Sequence, residues 1–299
     1  MRRLHYHLLD VFTNQRYGGN QLAVFTNGRG LSTETMQRIA KELNLSETTF
    51  IFPPENPAND WKVRIFTPAI ELPMAGHPTI GTSFVLAREH MVAVSESQPT
   101  IRLEEGVGVI PVTFQFAAGK PSIIQMQQRL PVYTPEFTDR QLAAELLSLT
   151  PADLADYPVQ EISCGVPFLF IPVKTLAAVQ QIKFRTDIWE RARSQYGHFF
   201  AFTTETLEPA STVHSRMFAP AMGISEDPAT GAASGPLGCY LVKYGFVNAN
   251  PAHIISEQGF ELGRPSYIHI EIRQSAGEID FVGVGGESVY MGEGSLEID

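Results

Sequence analysis

Apolar positions recur among polar ones through residues 4–12, and 22–25, Leu-Ala-Val-Phe, is an apolar run, which predicts two strands around a Gly18-Gly19-Asn20 turn. Met36, Ile39, Ala40 and Leu43 then recur at helical spacing behind Ser32, a residue type that caps helix N-termini. Strands follow at 49–52 and 62–66, on either side of the loop Pro53-Pro54-Glu55-Asn56-Pro57. Pro78 suits the first turn of a helix reaching about His90, and Ile80, Phe84, Val85 and Ala87 cover enough of its circumference to predict a buried, central helix. Residues 101–104, 107–116 and 122–126 read as further strands, and 131–135, Pro-Val-Tyr-Thr-Pro, as a connection between domains.

The second half repeats this order. Short helices are signalled after Thr138 and after Thr150-Pro151, strands at 159–164 and 168–173, a helix after Thr186, and strands at 199–202 and 214–218. Pro236 lacks an N–H and is tolerated in a first turn, so the next helix is expected to start near Gly231 or Ala232 and to run to about Tyr244. The tail from His253 is strand-rich, notably at 266–273 and 279–284. Strands outnumber helices, which gives an α+β class.

The repetition extends to particular residues. Arg64-Ile-Phe-Thr-Pro-Ala-Ile70 and Arg216-Met-Phe-Ala-Pro-Ala-Met222 lie 152 positions apart, counting 64 to 216. Thr49-Phe50-Ile51-Phe52 and Phe199-Phe200-Ala201-Phe202 lie 150 apart, counting 49 to 199. A period of half the chain means a duplicated domain and not a solenoid. The boundaries expected are 1–128 for the first half and 129–285 for the second, with a last strand at 286–299 returning to the first.

Composition narrows the partners. With 32 acidic against 22 basic side chains and a net charge of −10, the chain has no basic stripe for a phosphate backbone, so nucleic acid is not an expected partner. No uninterrupted apolar run approaches about 18 residues, and Asp10 and Asn14 break up the N-terminal segment, so neither a membrane span nor an export signal is expected. Cys164 and Cys239 are too few for a disulfide framework and lack zinc-site spacing, which fits a cytoplasmic protein.

Each Arg-x-Phe-x-Pro-Ala segment runs into a turn that opens a small-residue helix: Ala75-Gly76-His77-Pro78-Thr79 in the first copy and Glu226-Asp227-Pro228-Ala229-Thr230-Gly231 in the second. A helix N-terminus offers unpaired N–H groups and a positive dipole end, and Gly76 and Gly231 leave that backbone accessible. Two such ends across a cleft would bind a carboxylate. Glu47, His77 and Asp227 would stand beside it, and such a trio can remove and return a proton. Seen singly, each has a plainer explanation: Asp-Pro is a common turn, and a carboxylate at a strand end is usually only solvated. His5 and His7 share a strand face, but two ligands do not make a metal site and no third is near in sequence, so they read as ordinary strand residues. Gly18-Gly19-Asn20 and Gly283-Val284-Gly285-Gly286 read as turns, and Cys239 as a small buried hydrophobe.

Asp10-Val11-Phe12 with Gly19-Asn20, Asn44-Leu45-Ser46-Glu47-Thr48, Gly76-His77-Pro78-Thr79, Gly165-Val166-Pro167, Glu226-Asp227-Pro228-Ala229-Thr230-Gly231 and Gln258-Gly259 with Gly263-Arg264-Pro265 occur in this order. In these motifs the chain resembles the PhzF-like isomerase family of phenazine biosynthesis, relatives of diaminopimelate epimerase. The resemblance implies two pseudo-symmetric hot-dog-like domains, each a curved, mostly antiparallel sheet or barrel around a central helix, with the active site in the cleft between them and usually a homodimer. It implies that Glu47 transfers the proton, that His77 and Asp227 assist, and that Asn20, Ser46, Gly76, Gly231 and Ala232 bind substrate. It also implies that no metal or cofactor takes part. Ala232 stands where the phenazine enzymes have a serine, and neither turn holds the cysteine of the epimerases. The expected activity is a cofactor-independent isomerisation of a small carboxylate-bearing substrate. A non-catalytic carboxylate-binding or regulatory protein and a non-thiol racemase or epimerase are the alternatives.

Overall fold

In a computed structural model the residues described are 2–192 and 196–298. They fall into two compact units, Met1–Gln127 with Val284–Asp299, and Gln128–Gly283. In chain order the first half holds β1 (Arg2–Val11), β2 (Asn20–Phe25), α1 (Thr33–Leu43), β3 (Glu47–Phe52), β4 (Trp61–Phe66), β5 (Glu71–Leu72), α2 (Gly76–Arg88), β6 (Thr100–Glu105), β7 (Gly108–Ala117) and β8 (Lys120–Gln127). The second holds β9 (Val132–Glu136), α3 (Arg140–Leu146), β10 (Gln160–Ser163), β11 (Pro167–Pro172), α4 (Leu176–Gln181), α5 (Thr186–Ala192), β12 (Phe199–Thr203), β13 (Val213–Ala219), β14 (Ile224–Asp227), α6 (Gly231–Lys243), β15 (Ala252–Gln258), β16 (Ser266–Ser275) and β17 (Glu278–Gly286). The chain ends on β18 (Ser288–Ile298), which pairs antiparallel with β1.

The duplication is visible in the ladders. In the first unit β1–β2 is antiparallel, β2–β3 parallel, β3–β4 antiparallel, β4–β6 parallel and β6–β7 antiparallel. The second unit gives the same series for β10–β11, β11–β12, β12–β13, β13–β15 and β15–β16. The antiparallel flank differs in origin: β18 covers β1, whereas β9 covers β10.

Each sheet curls around one helix. α2 packs on the adjacent strands β18, β1, β2 and β3 and also on β8, far from them in the ladder order, and α6 packs on β10, β11, β15 and β16. Among the described residues β8 and β18 do not pair with each other, so the first sheet is open and not a barrel. Enclosure dictates composition: a Cβ on Gly81 would lie 2.6 Å from Leu22 and 2.7 Å from Val11, and one on Gly238 2.6 Å from Ile270. Buried hydroxyls are spent internally, Ser83 to the Thr79 carbonyl at 2.8 Å and Ser234 to that of Thr230 at 2.9 Å.

The repeated arginines anchor each sheet to a flanking helix. Arg64 on β4 holds Glu71 on β5 with two hydrogen bonds, of 2.7 and 2.6 Å, and reaches Thr33 at the start of α1. Arg216 on β13 holds Glu226 on β14 in the same bidentate manner, at 2.8 and 2.7 Å, and donates to the carbonyls of Val179 and Ile182 at the end of α4. Each guanidinium also stands 5.3 Å from the phenylalanine two residues on, Phe66 or Phe218.

Several segments depart from the sequence expectation. Residues 131–135 are not a bare connection, since 132–135 belong to β9, whose Pro135 suits an edge-like strand. Gly283-Val284-Gly285-Gly286 is the end of β17 and not a turn; a Cβ on Gly285 would come within 2.3 Å of the Ile124 carbonyl, so glycine there serves close backbone approach. α4 is six residues and carries too short a periodicity to register. α6 starts at Gly231, yet Pro236 is its sixth residue, so the Ala232 carbonyl lacks the usual helical donor.

Replacing either arginine by methionine separates the two pairs. The Arg216–Glu226 pair is almost wholly enclosed, with side-chain exposures of 8% and 12%, so Arg216→Met should lower the unfolding free energy in urea by about 3–5 kcal/mol. Arg64 and Glu71 are partly open to water, and Arg64→Met should cost about 1 kcal/mol.

Candidate active site

The first-unit site begins with a loop that delivers β2. The Asp10 carboxylate accepts the Tyr17 N–H at 2.8 Å. Gly19 follows at φ +61°, where a Cβ would meet the Val11 carbonyl at 2.3 Å. The chain thus re-enters the sheet at Asn20, fully buried as the first residue of β2. β3 runs parallel to β2 with Glu47 beside Leu22, so the N-terminal ends of β2 and β3 lie together. Ser46, half-buried, immediately precedes Glu47.

α2 brings its own N-terminus to that edge. Gly76 and His77 are its first two residues, and His77 Nε2 lies 3.1 Å from Glu47 Oε2. Exposures of 8% for Glu47 and 4% for His77 put the pair out of bulk water. Burial holds the His77 imidazole down to about 3, partly offset by a main-chain hydrogen bond at Gln21. At neutral pH the ring is therefore uncharged. Its bond to Gln21 occupies the other nitrogen and leaves Nε2 turned toward the carboxyl.

In the second unit Asp227 ends β14, and Gly231 and Ala232 open α6. Thr230 donates its hydroxyl to Asp227 Oδ2 and receives Gln258 Nε2 at 3.0 Å. Gln258 Nε2 also reaches the Asp227 carbonyl at 2.7 Å, and its Oε1 accepts the Thr230 N–H at 3.1 Å. Gly259 follows at φ +80°, where a Cβ would sit 2.5 Å from the Pro228 carbonyl. The Gln258-Gly259 motif is thus a clamp on the turn that carries Asp227.

The first unit has a counterpart that sequence reading missed. Parallel pairing sets Lys62 against Glu104 and His214 against Glu257, so Glu105-Gly106 occupies the place of Gln258-Gly259. A Cβ on Gly106 would lie 2.8 Å from Pro73, as Gly259 abuts Pro228. Glu105 Oε1 and the Ala75 carbonyl each lie 2.6 Å from the Thr79 hydroxyl. That hydroxyl has one proton and the carbonyl can only accept, so Thr79 donates to Ala75 and receives the proton of a neutral Glu105 carboxyl. Burial pushes Glu105 up to about 8, which agrees. The chain Glu105–Thr79–Ala75 therefore runs in the same donor direction as Gln258–Thr230–Asp227. Aligning the two copies through their arginines is the signal that could have found it.

Comparison with known proteins follows the same outline. The profile of the family described as phenazine biosynthesis-like protein, PhzC-PhzF, matches residues 9–294. The chain belongs to this PhzF family. A trans-2,3-dihydro-3-hydroxyanthranilate isomerase of Pseudomonas chlororaphis is 34% identical over 292 residues, covering 98% of this chain and 99% of that protein. An isomerase of Mesorhizobium japonicum is 33% identical over 305 residues, covering all of both. Among solved structures, the PhzF-family phenazine biosynthesis protein of Bacillus anthracis superposes with a TM-score of 0.90 at 25% identity over the whole of both chains. A probable proline racemase of Agrobacterium radiobacter shares the fold, with a TM-score of 0.67 at 10% identity, covering 99% of this chain and 93% of that one. The protein is an isomerase of the PhzF family.

Glu105 gives the site a titration. Its folded-state value of about 8 exceeds the ordinary 4.5, so the unfolded chain releases this proton first as pH rises. Stabilisation from the neutral carboxyl is complete below about 4.5 and lost by about 8. Glu105→Gln supplies the donor without the proton, as Gln258 does. Its urea stability relative to wild type should climb between pH 4.5 and 8 by a few kcal/mol and then level off. Glu105→Ala also lacks the titrating group and should climb relative to wild type over the same range, but from a lower starting point because the hydrogen-bond donor is lost.

Proposed function

We propose that Glu47 removes a proton from one carbon of a small, carboxylate-bearing substrate and returns it to another, with His77 and Asp227 assisting. The observation that carries this reading is the buried Glu47–His77 pair, 3.1 Å apart at the N-terminus of α2. A neutral imidazole whose Nε2 faces the carboxyl can accept or relay the proton Glu47 holds, so that the carboxyl works as base and then as acid. The reaction leaves the composition of the substrate unchanged, since one proton is removed and one is returned, and the proton held by the Glu47 carboxyl can exchange with water in between.

The N–H groups opened by Gly76 in the first unit and Gly231 in the second are assigned to the substrate carboxylate, with Asn20, Ser46 and Ala232 as further binding residues. The Pseudomonas relatives are named for a cyclic amino acid with a carboxylate, and a substrate of that general class suits this donor set. Ala232 presents a methyl group, so any contact made there is apolar. The residues assigned can complete this proton transfer with their own carboxyl and imidazole groups, and we propose a cofactor-independent enzyme. A cytoplasmic homodimer is the assembly proposed with it.

Glu47→Gln keeps the shape and removes the base. It should reduce turnover of a carboxylate substrate by at least about 10³-fold while leaving its binding within a few-fold. Reaction in deuterium oxide should place deuterium on the substrate with wild type and not with the variant, read by mass spectrometry. Full activity in Glu47→Gln would remove Glu47 from the mechanism. Tight binding with no deuterium incorporation by wild type would favour a non-catalytic carboxylate-binding protein, and a product of inverted configuration a racemase.

A further inference from the structure

At the far end of α2 from His77, three side chains from distant parts of the chain converge on one face of the first sheet. β1 and β18 are antiparallel, with His7 directly opposite Glu293. His5 stands two residues before His7 and points to the same face, because side chains alternate along a strand. One nitrogen of each histidine and one Glu293 oxygen lie within 4.8 Å of one another. The backbone ladder, and not a flexible loop, brings them together.

We propose that His5, His7 and Glu293 form a binding site for a divalent transition-metal ion of the zinc type. Two imidazoles and a carboxylate suit zinc, nickel or copper better than the oxygen-seeking magnesium or calcium. Zinc holds such donors at about 2.0–2.2 Å, which places neighbouring donors of a tetrahedral site about 3.4 Å apart. His5 Nε2 and Glu293 Oε2 already stand at 3.5 Å. Both belong to exposed side chains, with 46% and 60% of their surface open, and can close on an ion by rotation alone. His7 is the fixed member, almost completely buried.

The surroundings support ligands more than a simple ion pair. Tyr290 donates its hydroxyl to Glu293 Oε2 at 2.9 Å, the kind of outer hydrogen bond that orients a metal-binding carboxylate. The Tyr290 ring is held in turn by the Arg88 guanidinium, 3.8 Å above it. His7 Nδ1 lies 3.4 Å from the same Tyr290 hydroxyl and 3.9 Å from an oxygen of Glu89, the residue that caps α2. An ion here would tie β18, the last strand, to β1.

The test uses the full chain stripped with a chelator and titrated with zinc alone by calorimetry, with thermal unfolding in parallel. Wild type should bind one ion with micromolar or tighter affinity and unfold at a higher temperature with zinc than without. His5→Gln and Glu293→Gln, both at the surface, should each weaken binding at least tenfold and abolish the thermal shift. Glu297→Gln on the same strand is the control and should bind as wild type does. Absence of a one-to-one isotherm, or equal loss in the Glu297 control, would overturn the site and leave His5 and Glu293 as a surface ion pair.

Discussion

A helix with sheet around much of its circumference has no water to receive its polar atoms and no room for bulk, and each unit of this protein is built around meeting that condition. Gly81 and Gly238 let sheet side chains approach the helix backbone. Thr82 meets Thr49 at 2.8 Å, and Ser83 and Ser234 fold their hydroxyls back onto their own helices. Enclosure also limits where chemistry can be placed. The sides of α2 and α6 are packed, so the accessible helical N–H groups are those of the first turn, next to His77 in one unit and Asp227 in the other.

The same ladders show what the two copies share and where they diverge. Thr48 pairs with Phe66 and Phe199 with Phe218, each phenylalanine two residues past its arginine, so His198 holds the position of Glu47. His198 gives its Nδ1–H to the Pro167 carbonyl at 3.0 Å, and burial lowers its pKa, which leaves a neutral ring. In the turns, Thr79 matches Thr230 and Ser83 matches Ser234, which puts Asp227 one residue ahead of the place of His77. The first unit thus has acid on the strand and imidazole on the turn, and the second has imidazole on the strand and acid on the turn. A duplicated scaffold has kept its hydrogen bonds and exchanged its titratable groups.

Features written in local pattern were legible in the sequence, and features made by register were not. The buried central helices followed from small and apolar residues on most faces, and Ser32 does cap α1 by accepting the Thr35 N–H. The repeated arginine motif exposed the duplication because its spacing is intact. Glu105 was overlooked because it looks like one more charge in Arg-Leu-Glu-Glu-Gly at a strand end. Only the parallel pairing of β4 with β6 brings it beneath the Thr79 hydroxyl. Glu293 was invisible as a neighbour of His7 for the same reason, since 286 residues separate them and a ladder joins them. The end of β17 misled in the opposite direction: its glycines mimic a turn but serve a close strand crossing.

The difference between Glu105 and Gln258 has a physical cause. Thr230 hands its proton to the Asp227 carboxylate, so the donor above it lies near an acidic group. A glutamate at 258 would set two carboxyls on one hydroxyl, and one of them would have to be neutral for the chain of bonds to form. An amide removes that competition and leaves Asp227 with an oriented hydrogen bond. Thr79 hands its proton to the neutral Ala75 carbonyl, and there a protonated glutamic acid donates as well as an amide does. The first unit can keep a titratable clamp because its turn places imidazole, and not carboxylate, at the helix start; the second cannot, because Asp227 occupies the acceptor end.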